Sequence, residues 1–352
     1  MANVVRDLAD HQSRDGLQVA VACPGDSYLA RELALRQITH LPWAASRNPG
    51  PAVVREASDL ARLVRDYEPD VVHLHSTKAG LAGRLALRGR VRTVFEPHAW
   101  GDWAASEPVA TAIRLWERVG RRWTDLTVCL SDAERAHAER LGVARTITVP
   151  NGVDTERFVP RDKGRARRAL GLDESHHVSL CVGRLARQKG QDVLIHAWRS
   201  AFSQNQAARL VLVGSGPDEH TLRASVSEVG ENRVIVVKDC EDPRDWYAAA
   251  DVVVAPSRWE GAALVPLEAL AMGRPVVGFD VGGLAATIGA NGTALVPGDV
   301  EGLTASLSRL SRGESCFPDE DVIRRHVSDH HSARRAFERI TAATTELMEV
   351  TA

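Results

Sequence analysis

Residues 178–200, VSLCVGRLARQKGQDVLIHAWRS, pass from an apolar run through a glycine-containing turn into an amphipathic run. Residues 178–182 have the length and composition of a buried strand, and residues 192–200 repeat apolar positions at helical spacing. Alternation of such strands and helices predicts a parallel sheet with crossover helices. The turn at residues 183–190 then follows the carboxyl end of a strand, where α/β folds bind ligands.

The same alternation extends in both directions along the chain. In the second half the expected strands are 178–182, 209–213, 234–237, 252–255 and 275–278, with helices at 192–200, 219–229 and 265–272. In the first half the expected strands are 17–22, 71–75, 92–95, 126–130 and 146–149, with helices at 53–66 and 81–88 among others.

Two consecutive α/β patterns predict two Rossmann-like domains, and 352 residues exceed what one hydrophobic core usually organises. The turn-rich sequence PNGVD at residues 150–154 marks the boundary. We therefore expect an N-terminal domain at residues 1–155 and a C-terminal domain at residues 156–331. A last helix, residues 332–350, is expected to pack back on the first domain.

The beginning of the chain departs from this plan. Residues 3–12 have a helical pattern, whereas a Rossmann-like domain starts with a central strand and a glycine-rich turn. The first strand of the N-terminal domain is therefore expected to be missing. Because central strands pair on both sides, we expect the functional protein to carry roughly 10–20 further residues before Met1, or this chain to be impaired. The alternative is that another segment fills the central position.

Composition excludes several classes of protein. Lys and Arg total 44 against 46 for Asp and Glu, a net charge of −2, which argues against a nucleic-acid partner. No apolar run approaches the roughly 20 residues of a membrane-spanning helix, and the polar N-terminus does not resemble a signal peptide. The cysteines show no metal-ligand spacing and fit a cytoplasmic protein; they are Cys23, Cys129, Cys181, Cys240 and Cys316.

Arg184 and Lys189 are the first candidates for ligand binding. Five residues apart in a turn after a strand, they can converge on one anion, Arg184 through a fork and Lys189 as a point charge. The alternative is two solvated cations beside a turn.

The second candidate segment is residues 257–268, SRWEGAALVPLE, which runs from a loop into a helix. The start of that helix has unpaired N–H groups that favour a phosphate. Glu260 in the loop and Glu268 in the helix carry acceptors suited to sugar hydroxyls. Alternatively, one glutamate caps the helix and the other is solvated.

Together these motifs resemble a known family. They read G-R-L-x-x-x-K-G from Gly183, then E-G-x-x-L-x-x-L-E-A-x-A-x-G-x-P-V-V from Glu260, then Gly282-Gly283. VPNGVD at 149–154, VGSGP at 213–217 and WYAAAD at 246–251 occur in the same order. This pattern resembles the retaining family 4 glycosyltransferases of the GT-B fold, in which two Rossmann-like domains face a central cleft. The resemblance extends from about residue 71 to residue 297 and is most specific in the second domain.

The resemblance implies roles for individual residues. Arg184 and Lys189 would hold the donor diphosphate, Glu268 the ribose and Glu260 the transferred sugar. Arg184, Lys189, Glu260 and His98 form the implied catalytic set. The other implied donor-binding residues are Gly183, Gly214, Lys238, Asp239, Cys240, Gly261, Ala262, Ala263 and Leu264.

In the first domain, VHLHSTKAG at residues 72–80 and EPHAW at residues 96–100 are similar to family segments. By resemblance His98 touches the donor sugar, and His75 and Lys78 lie on the acceptor side. A lone histidine is more often structural, which is the alternative for His98. Ser131 precedes a helical pattern and is predicted to be an N-cap.

The implied activity is retaining transfer of a hexose from a UDP- or GDP-linked donor to a glycan, a glycolipid or a small molecule. The resemblance implies no cofactor and no metal, and a part in polysaccharide or cell-envelope biosynthesis. Departures from the family occur at Ala262, Ala263, Lys238 and Ala286. The alternatives are a nucleotide-sugar epimerase of the same fold and a truncated, non-catalytic nucleotide-sugar-binding relative. A nicotinamide dehydrogenase is disfavoured because the third glycine of its motif is absent after Gly216.

Residues 109–123, VATAIRLWERVGRRW, combine arginines with large apolar side chains. An ordinary packed helix with a solvated basic face is the simpler interpretation. The alternative is a helix that lies on an anionic membrane and makes the protein membrane-peripheral.

Overall fold

The computed structural model describes residues 1–46, 50–227, 233–238, 240–314 and 317–349. The chain forms two compact units. The first unit comprises Met1–Pro150 and the chain from Arg334 onward, and the second comprises Asn151–Ala333. Within the described residues, no helix combines the length and apolar character needed to cross a membrane.

Strands and helices alternate through both units. The strands are β1 Ala20–Cys23, β2 Thr39–Pro42, β3 Val71–His75, β4 Arg92–Glu96, β5 Leu126–Cys129, β6 Thr146–Thr148, β7 His177–Val182, β8 Ala208–Val213, β9 Val234–Val237, β10 Val252–Ala255, β11 Val276–Phe279 and β12 Gly292–Leu295. The helices are α1 Ala2–Arg14, α2 Tyr28–Leu35, α3 Val53–Tyr67, α4 Thr77–Leu87, α5 Val109–Gly120, α6 Asp132–Arg140, α7 Lys163–Ala169, α8 Gln191–Ala201, α9 Glu219–Ser227, α10 Arg244–Ala249, α11 Leu264–Ala271, α12 Leu284–Ile288, α13 Val300–Ser311, α14 Glu320–His330 and α15 Ala333–Glu349.

The second unit is built on one parallel sheet in the order β12-β11-β10-β7-β8-β9. The central strands are buried on both faces, which their nearly continuous apolar sequences predict. Successive residues pack on opposite faces: Leu180 of β7 belongs to one core and its neighbour Cys181 to the other. The chain leaves β7 toward β8 and later returns to β10 on the other side. This reversal of strand order is the switch point at which such sheets bind ligands.

The first unit contains two parallel sheets. β1 pairs with β2, and β3, β4, β5 and β6 form a second sheet in chain order. Across the described ranges, β1 and β3 each pair on one side only. The arrangement is mixed α/β with parallel sheets, as the sequence predicts.

Two helices from opposite ends of the chain cover one face of the four-stranded sheet. Leu8 of α1 and Ile340 and Leu347 of α15 share a core with Val94 and Val128. The C-terminal helix is thus an integral part of the first unit's core. The opposite face packs a separate cluster with Leu74, Phe95 and Trp100 at its centre.

Two strands were not predicted from the sequence, β2 and β12. Both have four residues and lie at sheet edges, and no residue of either is fully buried. Short, half-exposed edge strands lack the continuous apolar run by which interior strands are recognised. The N-cap prediction at Ser131 is confirmed, since its hydroxyl accepts the backbone N–H of Glu134 at 3.2 Å.

Candidate functional site

The loops that follow β7 and β10 meet at the switch point of the second unit. β7 and β10 are neighbouring parallel strands, so their carboxyl ends lie at the same edge of the sheet. The β7 loop carries Arg184 and Lys189, and the β10 loop carries Glu260. The fold therefore brings three predicted site residues from two distant segments to one edge.

The β7 loop and the β10 loop are held together by a close approach of their backbones. Gly190 has φ +69°, and a Cβ at this position would lie 2.0 Å from the carbonyl oxygen of Pro256. The backbone N–H of Arg258 donates to the carbonyl of Gln188 at 2.7 Å. The glycine is required both for its left-handed conformation and for the contact.

The charged side chains of these loops form one network. Lys189 is ion-paired with Glu260, which also accepts a 2.8 Å hydrogen bond from the Ser257 hydroxyl. Gln188 accepts from the Arg184 guanidinium at 3.2 Å, and its amide lies 3.4 Å from the second oxygen of Glu260. Glu260 is 9% exposed. Arg184 and Lys189 are thus joined through Gln188 and a buried carboxylate.

Helix α11 starts directly beside this network. Its N-cap, Ala263, provides no side-chain hydrogen bond, so the first N–H groups are without an intrahelical or capping acceptor. Asn151 donates to the carbonyl of Ala262 at 2.8 Å and holds the preceding turn, which also contains Gly261. An uncapped helix start next to two cations is suited to an anion.

Glu268 lies one turn further along α11 and has one hydrogen-bond partner within the described part of the chain. The hydroxyl of Tyr247 donates to Glu268 Oε2 at 2.6 Å. Burial raises the pKa of the Glu268 carboxyl, and the Tyr247 hydrogen bond opposes that shift. The site therefore holds a partly buried acceptor group oriented by a fully buried tyrosine.

The remaining donor-site predictions lie on neighbouring loops. Gly214 after β8 has φ +148°, and a Cβ there would lie 2.1 Å from the carbonyl of Gly183, so these two loops also stack. Lys238 after β9 is half exposed and 4.0 Å from Glu219. Cys240 is partly buried, and burial raises its thiol pKa. The predicted residue Asp239 lies outside the described residues.

The predicted residues of the first unit lie at the carboxyl ends of β3 and β4. His75 Nδ1 is 3.0 Å from His98 Nε2, so these two predictions are in contact. His98 and Ala99 have φ values of +52° and +103°, an uncommon pair for non-glycine residues. The turn is held by Glu134, which accepts from the N–H of Ala99 at 2.9 Å. Lys78 is ion-paired with the buried Glu56.

Burial governs the protonation of this histidine group. It lowers the pKa of His73, His75 and His98 to about 3 each. Each imidazole is consequently neutral near pH 7. Glu96, fully buried, lies within 3.3–3.6 Å of a ring nitrogen from all three histidines.

Several residues of these sites were not singled out from the sequence. They are Gln188, Tyr247, Asn151, His73 and Glu96. The alternation on β3 was a usable signal, because His73 and His75 must lie on one face of the strand. Gln188 meets Glu260 of a different strand loop, and Tyr247 meets Glu268 of a different helix, and local sequence does not specify either partner.

The fold and the site are those of a nucleotide-binding α/β protein, and two family models and a solved structure are similar to this chain. The family model for Glycosyltransferase Family 4 matches residues 1–157, and that for Glycosyl transferases group 1 matches residues 176–312. HepE of Anabaena, solved in complex with UDP and glucose, has the same fold, with a TM-score of 0.84 and 21% identity over 98% of this chain and 95% of that chain.

Two curated relatives are more similar in sequence. D-inositol 3-phosphate glycosyltransferase 2 of Catenulispora acidiphila is 32% identical over 93% of this chain and 82% of its own length. A GDP-mannose-dependent alpha-(1-6)-phosphatidylinositol monomannoside mannosyltransferase of Mycolicibacterium smegmatis is 32% identical over 74% of this chain and 72% of its own length. The protein is a glycosyltransferase of the GT-B fold. It belongs to family 4, the group 1 glycosyl transferases, as the motifs predict.

Proposed function

We propose that this protein is a retaining, metal-independent hexosyltransferase whose second unit holds a nucleoside-diphosphate sugar. The observation that carries the proposal is the network of Arg184, Gln188, Lys189 and Glu260 beside the uncapped start of α11. Two cations and a helix start supply positive potential for a diphosphate. A buried carboxylate beside them supplies an acceptor for sugar hydroxyls.

The proposed donor and acceptor are inferred from the relatives. One relative is GDP-mannose-dependent, and HepE was solved with UDP and glucose, so we propose a UDP- or GDP-linked hexose and no cofactor. The relatives' names include an inositol phosphate and a phosphatidylinositol monomannoside. We therefore propose a glycan, a lipid-linked acceptor or a small polyol, in cell-envelope or polysaccharide biosynthesis.

Stabilisation of the leaving group is the main chemical task of the proposed site. Cleavage of the bond between sugar and diphosphate places negative charge on the leaving diphosphate and positive charge on the sugar ring. Arg184, Lys189 and the start of α11 would stabilise the first charge, the electrostatic contribution that is usually largest. Glu260 would bind hydroxyls of the transferred sugar, and Glu268 those of the ribose. The base would lie against residues 238–241.

The first unit is proposed to act on the acceptor side. His75 and Lys78 are assigned there, and His98 to contact with the donor sugar. His98 is neutral near pH 7, since burial lowers its pKa to about 3, and a neutral imidazole can donate one hydrogen bond and accept another. The internal pairing of Lys78 with Glu56 implies that Lys78 positions the start of α4 more than it meets substrate.

The proposal is tested by Arg184→Ala with Arg187→Ala as its control. Arg187 is an exposed cation in the same loop. Loss of charge-assisted hydrogen bonds worth about 1.5–3 kcal/mol corresponds to roughly 10–100-fold weaker diphosphate binding. We expect thermal-shift titration with UDP and GDP sugars to give that loss for Arg184→Ala and wild-type affinity for Arg187→Ala. Equal behaviour of the two variants would contradict the assignment.

The product of turnover separates the proposed reaction from the two alternatives. NMR of the reaction mixture is expected to show a new glycosidic bond with the donor's anomeric configuration. An epimerised nucleotide sugar would identify an epimerase, and donor binding without turnover of any acceptor would identify a binding module.

We also propose a cytoplasmic protein with a peripheral membrane contact at α5. The described cysteines are all free, which fits a reducing compartment. Leu115 and Val119 on α5 are 54% and 42% exposed, and Arg118 and Arg122 beside them are exposed as well. A surface of exposed apolar and basic side chains favours anionic lipid.

Vesicle flotation tests this contact. The protein is expected to float with anionic vesicles and not with zwitterionic ones, and Leu115→Asp is expected to abolish flotation. The control is Val322→Asp, because Val322 is 43% exposed on α14 of the second unit. Flotation that Leu115→Asp leaves intact would show that α5 is an ordinary packed helix.

A further inference from the structure

The histidine group of the first unit has a geometry that the proposed transfer reaction does not require. His73 and His75 lie on the same face of β3, and their rings stack with centroids 4.0 Å apart. The strand register places His75 directly opposite Glu96, the last residue of β4. Two imidazoles and a carboxylate are thus held by two adjacent strands of one sheet.

The distances from the two imidazole nitrogens to the Glu96 carboxylate are similar to those between ligands of one small metal ion. His73 Nε2 is 3.3 Å and His75 Nδ1 is 3.6 Å from Glu96 Oε2. One nitrogen or oxygen from each of the three residues falls within 4.8 Å of the others. Two nitrogen ligands about 2.0–2.1 Å from a tetrahedral zinc ion lie roughly 3.3–3.4 Å apart.

Glu96 provides a second, independent indication of a cation. It is 0% exposed, and neither of its carboxylate oxygens accepts a hydrogen bond of good geometry from the described part of the chain. The Nε2 atom of His73 is likewise buried without a hydrogen-bond partner among those residues. Buried polar groups are nearly always satisfied, and a buried carboxylate without compensation is costly. A cation bound between these atoms would satisfy both residues at once.

We propose that His73, His75 and Glu96 bind a divalent transition metal ion of the zinc class. Two imidazoles and one carboxylate are a donor set that suits zinc and cobalt, whereas magnesium and calcium prefer oxygen ligands. Three protein ligands leave a fourth position open. The side chains of His73 and His75 are 14% and 13% exposed, so the group lies just below the surface of the first unit.

His98 lies next to this site as a positioning residue. Its Nε2 is 3.4 Å from Glu96 Oε1 and 3.0 Å from His75 Nδ1. Metal binding at His75 Nδ1 uses the lone pair that His98 faces, so that hydrogen bond must break. His98 can then donate to the free oxygen of the ligating Glu96, and such outer hydrogen bonds strengthen metal sites. His98 therefore positions the carboxylate of Glu96 for the metal ion.

Metal titration of the full chain tests the proposal without an activity assay. Protein freed of metal with a chelator is titrated with Zn²⁺ by calorimetry and with Co²⁺ by visible absorption. We expect one equivalent of Zn²⁺ to bind and Co²⁺ to give the absorption bands of a low-coordinate site. Glu96→Gln, which preserves shape, and His73→Gln are each expected to weaken binding at least about 10-fold.

A second histidine group in the chain supplies the matched control. His326, His330 and His331 lie close together in the second unit, with ring centroids 5.2 and 5.6 Å from that of His326. His330→Gln removes an exposed member of that group and is expected to leave Zn²⁺ affinity unchanged. Absence of binding by the wild type overturns the proposal. The proposal is also overturned if His330→Gln removes Zn²⁺ binding while Glu96→Gln or His73→Gln retains it. Thermal melting shows which of these two variants is folded, and only a folded variant is compared.

Discussion

At the scale of single residues, the proposed donor site balances its own charges before any ligand arrives. Lys189 is paired with Glu260, and both are largely buried. An entering diphosphate must share or take over the ammonium group of Lys189. Glu260 is then left to other donors, namely the Ser257 hydroxyl, the Gln188 amide and the hydroxyls of a bound sugar.

Glu260→Gln tests this exchange. The substitution removes the internal counter-ion of Lys189 and keeps the shape of the side chain. We expect affinity for free nucleoside diphosphate to be at least that of the wild type, while kcat for sugar transfer falls about 10-fold or more, the effect of one lost charged hydrogen bond. Calorimetry with UDP and GDP and steady-state kinetics measure the two quantities. Weaker diphosphate binding in the variant would contradict the exchange.

Tyr247 and Glu268 form the second residue pair whose chemistry can be tested. Burial raises the pKa of the Glu268 carboxyl in the folded state, so the proton is favoured there. A carboxyl with a raised folded pKa contributes stability below its unfolded pKa of about 4.3, and this contribution is lost as pH rises through the folded pKa. The Tyr247 hydroxyl limits that loss by donating to the charged form.

Tyr247→Phe is therefore expected to lower stability in a pH-dependent manner. Without the donor, the pKa of Glu268 rises further, so the difference from wild type should open as pH rises through the folded pKa of Glu268 in the wild type and reach about 1–3 kcal/mol. Denaturant unfolding between pH 4 and 8 measures it. In a Glu268→Gln background the same substitution should show no pH-dependent difference. A difference that is constant with pH would indicate a packing effect alone.

At the scale of elements, the site depends on how closely the strand loops stack. The β7 loop contacts the β10 loop at Gly190 and the β8 loop at Gly183. A Cβ on Gly190 would collide with the β10 loop, and a Cβ on Gly214 of the β8 loop would collide with Gly183. The stacking explains why residues far apart in sequence reach one edge of the sheet.

Gly190→Ala tests the stacking, with Gly171→Ala as the control. Both glycines have nearly the same φ, +69° and +70°, but a Cβ at Gly171 meets nothing within 4 Å. The left-handed conformation alone costs an alanine roughly 1–2 kcal/mol. Gly171→Ala should show about that loss in thermal unfolding and bind diphosphate normally. Gly190→Ala should lose more stability and at least about 10-fold in diphosphate affinity, because the loop that carries Arg184 is displaced. Equal losses in the two variants would show that the left-handed backbone conformation, and not the contact of Gly190 with Pro256, accounts for the effect.

At the scale of the whole molecule, the two units differ in the continuity of their sheets. The second unit has one six-stranded sheet with a core on each face. The described strands of the first unit are divided between a pair and a four-stranded sheet, and its core includes both α1 and α15. Each unit nonetheless encloses its own hydrophobic clusters, as an independent domain does.

The second unit is accordingly expected to fold and bind without the first. A fragment of residues 151–333 retains all strands of the six-stranded sheet and the bridge of Val153 with Ser332. We expect cooperative thermal unfolding and stabilisation by UDP or GDP; at 100 times its Kd a ligand adds about 2.7 kcal/mol. A fragment that folds but shows no nucleotide-dependent shift would place essential donor contacts in the first unit.

The sequence by itself determined the α/β class, the interior strands, most helices and the loops that carry the candidate ligands. These features depend on local periodicity, on caps such as Ser131 and on glycines in turns, which neighbouring residues specify. The family motifs then assigned Arg184, Lys189, Glu260 and Glu268 to one site, and the fold brings the first three into one network.

The partners of those residues were decided by the tertiary structure. Lys189 meets Glu260 across 71 positions of sequence, and Tyr247 meets Glu268 across 21. The register of β3 against β4 places His75 opposite Glu96, and a shift of one residue would turn Glu96 to the other face. Strand order, register and loop stacking arise from burial of the whole sheet, so no local pattern specifies which charges meet.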